Sequence, residues 1–224
     1  MIYGAYPEVL TTKHLKDKAG LLEEITQGYL LKDILELERV KSSKLLVDLL
    51  TMLALQLGGE VSLTELGQKL GIDVKTVARY LDLFEKSFIL FNLRGYSRNL
   101  RKEITRKSKY YFYDNGVRNA LIANFNSLER RSDVGALWEN FLVVERLKRQ
   151  EYKGLRANNY FWRTWGGQEI DWVEERGGGL YGYEFKYEKD KVRMPKLWKE
   201  TYSGAGFKVI NRQNYLDFVI GRNK

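Results

Sequence analysis

Arg163-Thr-Trp-Gly-Gly-Gln-Glu-Ile-Asp-Trp-Val-Glu-Glu-Arg-Gly-Gly-Gly-Leu-Tyr-Gly-Tyr-Glu-Phe-Lys186 sets two runs rich in β-branched and aromatic residues on either side of Gly177, Gly178 and Gly179. Glycines between such runs signal a β-hairpin, because glycine enters positive φ without a Cβ clash. With Gly177 and Gly178 as the central turn residues, Asp171 lies directly across from Glu184, and Glu169 across from Lys186. A three-residue loop, Gly177–Gly179, would instead move the partner of Asp171 to Phe185. Alternation along a strand then puts Tyr183, Phe185 and Tyr187 on one face, and Glu184 and Lys186 on the other with Asp171.

Like charges opposed across a sheet repel, so the Asp171/Glu184 pair asks for a neutralising partner. A divalent cation such as Mg²⁺ or Mn²⁺ fits, because two carboxylates leave its other positions open, and Lys186 can hold or help deprotonate an attacking water. This is the apparatus of phosphodiester hydrolysis. Without metal, repulsion should raise the pKa of at least one acid, partly offset by Lys186. Glu169 is the competing ligand if the register slips. The plain alternative is a solvated hairpin face with surface salt bridges worth roughly 0–1 kcal/mol each.

Composition bounds the rest. The chain has 224 residues, enough for two small domains, and 44% hydrophobic content to fill their cores. No cysteine is present, which excludes disulfides, thiol catalysis and cysteine-ligated zinc. The single histidine, His14, sits in a lysine-rich run and reads as a surface residue. No stretch reaches the ~18 apolar residues of a membrane span, and the N-terminus lacks a basic-then-apolar signal, so a cytoplasmic protein is expected. A net charge of +9 favours a polyanionic partner, nucleic acid first. No G-x-x-x-x-G-K-[ST] occurs, so this chain carries no P-loop.

Residues 1–10 read as an extended lead, and residues 20–38 as an amphipathic helix through Leu22, Ile25, Tyr29, Leu30, Ile34 and Leu37. Ser42 or Ser43 caps an apolar helix to Leu57. Ser62 with Glu65 forms a capping box for a helix ending at Leu70, Gly71 stops it, and Asp73 caps the next. In that helix Val77, Leu81 and Phe84 form the core stripe with Tyr80 beside it, and Lys75, Arg79, Asp82 and Lys86 fall outside. Strands at Phe88–Phe91 and Tyr110–Tyr113 would flank a basic segment with Arg94, Arg98, Arg101, Lys102, Arg106, Lys107 and Lys109 against one acid, Glu103. Together these read as a winged helix-turn-helix. Lys75, Thr76 and Arg79 would reach a DNA groove, and Arg98, Arg101, Lys102, Arg106 and Lys107 would meet phosphates; protein docking is the other use of such a module.

Further on, Ser132-Asp133 starts a helix with Leu137, Phe141 and Val144 on its apolar face and Glu139 and Arg146 off it. A strand from Tyr160, the hairpin, a helix near Leu197–Tyr202 and a strand at Phe207–Ile210 complete a mixed α/β domain. The expected divisions are residues 1–40 for the lead and helix, 41–113 for the winged helix and 114–224 for the α/β domain.

Asp171, followed after a short interval by Glu184-Phe185-Lys186, resembles the PD-(D/E)XK nuclease superfamily, and Glu139 in Leu137-Trp138-Glu139-Asn140-Phe141 resembles its accessory glutamate. With Tyr3-Gly4-Ala5-Tyr6-Pro7, Tyr29-Leu30-Leu31-Lys32-Asp33-Ile34, Lys75-Thr76-Val77-Ala78-Arg79-Tyr80-Leu81 and Tyr113-Asp114-Asn115-Gly116, nearly the whole chain resembles the C-terminal part of a prokaryotic AAA-type ATPase family that ends in a domain of unknown function. The resemblance implies an α/β (α+β) protein, a winged helix followed by a mixed-sheet, restriction-endonuclease-like domain. Its catalytic residues would be Asp171, Glu184, Lys186 and Glu139, with Asp171 and Glu184 on Mg or Mn. DNA would be the partner, and the ATPase module lies outside this chain. The alternative is a non-catalytic DNA- or protein-docking module of such an ATPase.

Overall fold

A computed structural model describes residues 1–30, 43–97, 108–188 and 192–221. The chain divides into two compact units, one of residues 1–92 and 109–132, the other of residues 93–108 and 133–224. Nine helices and seven strands lie among the described residues, a mixed α/β protein.

The first unit begins with α1 (Pro7–Thr11) and α2 (Leu15–Glu24), which runs into a π-helical turn, Ile25–Leu30. The expected helix over 20–38 therefore starts earlier, and residues 31–38 lie outside the described residues. Val9, Leu22 and Ile25 pack with Tyr3, Tyr6 and Phe125. The lead is held by Asp114, whose Oδ2 accepts from Ala5 N at 2.6 Å. Gly4 is needed there, since a Cβ would fall 1.8 Å from Asp114 Oδ1.

Helix α3 (Ser43–Leu55) buries Leu46, Leu49, Leu50 and Leu53. After β1 (Glu60–Val61), α4 (Leu63–Leu70) is capped by Ser62, which accepts from Glu65 N, and closed by Gly71 at φ 67°. Asp73 caps α5 (Val74–Lys86), which buries Val77, Tyr80, Leu81 and Phe84 as the pattern requires. Strand β2 (Leu90–Gly95) begins two residues later than expected, because Phe88 takes φ 53° and Ile89 N bonds back to Phe84 O. That closes α5 with the left-handed residue usually supplied by glycine, a signal phenylalanine hides. Strand β3 (Ser108–Phe112) lies between β1 and β2, and α6 (Asn115–Leu121) is capped by Asp114. A 3₁₀ turn, Leu128–Arg130, follows.

In the second unit α7 (Val134–Tyr152) is followed by β4 (Asn158–Arg163), β5 (Glu169–Arg176), β6 (Gly179–Phe185), α8 (Lys196–Thr201), β7 (Gly206–Ile210) and α9 (Tyr215–Val219). Arg94 and Gly95 pair parallel with Tyr160 and Phe161. Beyond β4 the order is β5, β6, β7, with β4/β5 and β5/β6 antiparallel and β6/β7 parallel. On one side Trp162, Ile170, Val173, Trp198 and Tyr202 form the core. On the other, Tyr183 and Phe185 pack on Phe218.

Candidate functional site: a buried acidic pair on the hairpin

The turn between β5 and β6 has both Gly177 (φ 56°) and Gly178 (φ 74°) left-handed, the conformation a two-residue type I′ turn requires. The ladder pairs Arg176 with Gly179 through to Trp172 with Tyr183. Carried one residue further, the same register would set Asp171 opposite Glu184, but the ladder ends at Trp172 and Tyr183.

Strict alternation stops there. On β4 the partners of Tyr160 and Trp162 are Val173 and Ile170, so Asp171 and Trp172 together oppose one residue, Phe161. This is a β-bulge, a device that re-aims a side chain. Asp171 Oδ2 accepts from Phe185 N at 2.7 Å, where the β5/β6 ladder ends. Asp171 and Glu184 are 4% and 5% exposed. Glu184 Oε1 is 2.7 Å from Lys186 Nζ. Its Oε2 is buried and has no hydrogen-bond partner among the described residues.

Burial pushes the Glu184 carboxyl above its ordinary value; Lys186 pulls it down, and the charges of Glu169 and Glu139 push it up again. The sequence led us to expect a raised acid from repulsion inside the Asp171/Glu184 pair, but desolvation is the first cause. Lys186 is lowered by burial, yet Asp171 first, then Glu184 and Glu139, raise it above its ordinary value. Glu139, half-buried on α7, thus acts on the lysine and glutamate through its field. Glu169 faces Arg163, with Nε to Oε2 at 3.8 Å, and is 41% exposed.

No group of three or more histidine, aspartate and glutamate side chains that could hold a metal ion occurs among the described residues. A cation here would have two protein carboxylates and would complete its shell from water or substrate, as Mg²⁺ commonly does. The buried, unpartnered Oε2 of Glu184 is the atom that fits such a group.

A second buried glutamate sits on the same hairpin. Glu174 is wholly buried and accepts from Arg146 through Nε and, at 2.8 Å, Nη2, from Trp172 Nε1 at 2.9 Å, Gln150 Nε2 at 3.0 Å and Arg176 Nε at 2.9 Å. Burial would raise its pKa, but the Arg146 pair outweighs that and holds it below the ordinary value. Arg146, expected off the apolar face of its helix, is instead buried at 4% exposure. A charged residue on a helix gave no sign of a partner contributed by a distant strand.

Of the residues expected to touch nucleic acid, Lys75 and Arg79 are exposed on α5. Thr76 is half-buried, its hydroxyl spent on Asp73 Oδ2 at 2.6 Å. Lys109, counted with the basic segment, is 4% exposed within β3 and cannot present its charge as expected. Arg98, Arg101, Lys102, Arg106 and Lys107 lie outside the described residues.

The fold is thus a mixed α/β chain whose C-terminal unit carries a buried acidic pair beside a lysine. The chain belongs to the family described as "Domain of unknown function (DUF8612)", which matches residues 1–128. Residues 134–222 match "Domain of unknown function (DUF4143)". Uncharacterised proteins of Mycobacterium tuberculosis and Mycobacterium bovis are each 29% identical over 187 residues, covering 82% of this chain and 41% of theirs. One of Haemophilus influenzae is 26% identical over 153 residues, covering 66% of this chain and 36% of its own. The chain therefore spans well under half the length of these relatives. No solved structure matches. No helix among the described residues is long and apolar enough to cross a membrane.

Proposed function

We propose that the C-terminal unit is a nuclease-like module of the PD-(D/E)XK kind, hydrolysing phosphodiester bonds in DNA with Mg²⁺ or Mn²⁺. The first unit would be a winged helix that holds DNA through Lys75 and Arg79. One observation carries the reading: Glu184 Oε2 is a buried acceptor without a donor among the described residues, beside Asp171 and Lys186. A carboxylate oxygen left so in a core costs about 1–3 kcal/mol or more, a cost that a bound cation would offset.

Asp171 and Glu184 would hold the cation, with Asp171 oriented by the Phe185 amide. When bound, the cation supplies Lewis-acid polarisation of the phosphate and neutralises the charge it gains. Lys186 Nζ, now on Glu184 Oε1, would turn to orient the attacking water as a charged donor and stabilise the hydroxide it becomes, with the water's proton leaving to solvent. Glu139 adds negative field that keeps the lysine charged in that role. The length of the relatives, about twice this chain, agrees with a module appended to a larger protein such as an AAA-type ATPase.

A second reading is favoured by the closed Lys186–Glu184 ion pair, which already supplies one positive charge and suits a docking module that performs no hydrolysis. Cleavage of plasmid DNA in Mn²⁺ by wild type and by Asp171→Ala separates the two. Activity that falls to background in the variant supports hydrolysis; equal activity sinks it.

A further inference from the structure

Past Lys186 the chain enters a hollow of about 450 Å³ at the carboxyl ends of the parallel strands β6 and β7, lined by Tyr187, Glu188, Asn211, Arg212 and Gln213. We infer that this hollow is a subsite for one unpaired nucleotide of a DNA strand, the nucleotide next to the phosphate handled at Asp171 and Glu184. The inference rests on the phosphodiesterase reading and specifies its substrate as single-stranded at that position.

Several features support it. The volume suits a single small-molecule unit rather than a duplex. Tyr187 offers an aromatic wall, braced edge-on by Trp138 at 5.6 Å, and a nucleobase stacks on such a ring whatever its sequence. Arg212 is exposed, with its guanidinium carbon over the Tyr187 ring at 5.1 Å from its centre, a position it would yield to a stacking base while its charge moves to the neighbouring phosphate. The loop bearing Arg212 is fixed before any ligand arrives: Asn211 Oδ1 accepts from Gln213 N at 2.9 Å, and Asn214 Oδ1 accepts from Asn211 N at 3.0 Å. Glu188 on the rim opposes a second adjacent phosphate, which argues against a di- or triphosphate. Tyr187 follows Lys186 directly, so the base would sit one residue beyond the water-holding ammonium.

The test is equilibrium binding of the whole chain in EDTA, by fluorescence anisotropy, to a short oligothymidylate, a duplex and thymidine monophosphate. Tyr187→Leu, which keeps bulk against Trp138, should weaken the oligothymidylate about 5- to 150-fold, the range for loss of one stacked base. Arg212→Ala should weaken it too and flatten the salt dependence of log K by about 0.7. Duplex affinity should stay unchanged in both. If Tyr187→Leu fails to fold, the exposed Arg212 decides alone. Unchanged oligothymidylate binding overturns the subsite, as does an equal loss on duplex. Monophosphate binding as tight as the oligonucleotide would make the ligand a free nucleotide and overturn the strand assignment. Because this binding is read in EDTA, a failed Mn²⁺ titration of the wild-type chain would sink hydrolysis while leaving the subsite standing.

Discussion

Glu174 and Glu184 sit on adjacent strands of one hairpin, both buried, yet their surroundings are opposite in kind. Arg146, Trp172, Gln150 and Arg176 converge on Glu174, and its carboxyl is held below its ordinary value. Glu184 has a lysine on one oxygen, nothing on the other among the described residues, and a carboxyl pushed up. A fully satisfied buried ion belongs to the architecture. A half-satisfied one persists only where something else compensates, so the contrast, rather than burial, marks the candidate site.

The largest effect should come from breaking the satisfied side. Glu174→Gln leaves the Arg146 guanidinium buried without its counter-ion and should cost about 3–5 kcal/mol in urea unfolding. The double change Glu174→Leu with Arg146→Met should recover much of that, since the pair would be replaced by packing. A cost below 1 kcal/mol for the single variant would mean that Glu174 is no better satisfied than Glu184.

Glu184→Gln should act the other way and raise stability by about 0.5–2 kcal/mol above neutral pH, as removal of strained functional groups commonly does. The pH dependence follows from sign. The folded pKa of Glu184 is raised, so the native state holds the extra proton. Its contribution to stability is lost as pH rises from the ordinary value, 4.5, through the raised one. The folded pKa of Glu174 is lowered, so its contribution is present above 4.5 and lost as pH falls through the depressed value. Thermal melts of wild type and Glu184→Gln should therefore diverge as pH rises above 4.5. Parallel curves would contradict the burial of a raised acid.

The hairpin was legible because its register is a local matter: two adjacent glycines at positive φ fix which residues oppose, and the ladder from Arg176/Gly179 to Trp172/Tyr183 follows. The caps at Ser62 and Asp73 were legible for the same reason. The bulge at Asp171-Trp172 was not, since it is set by the pairing with Tyr160 and Trp162 on another strand. Nor was the Arg146–Glu174 pair, which joins residues far apart in sequence, or the hollow at Tyr187 and Arg212, which joins the ends of two strands. Helix α9 is too short for its periodicity to register. Sequence thus named Asp171, Glu184 and Lys186 as neighbours, but not why one glutamate of the hairpin is inert and the other poised.

The smallest effect tests which acid is the ligand. Glu169 acts on Glu184 only as a like charge that raises its pKa, and its own side chain turns toward Arg163. Glu169→Gln should therefore lower the Glu184 pKa slightly and leave the Mn²⁺ stoichiometry unchanged. If Glu184 holds the cation as proposed, manganese would displace its proton, so the apparent affinity in calorimetry should rise with pH up to that pKa. In Glu169→Gln the same rise should begin at lower pH, with the plateau within about threefold of wild type, since an acid this exposed interacts through screened charge. Loss of Mn²⁺ binding in this variant, with binding retained in Asp171→Asn, would transfer the ligand role to Glu169. The bulge would then have turned Asp171 away from the cation, leaving it as a structural acceptor for the Phe185 amide.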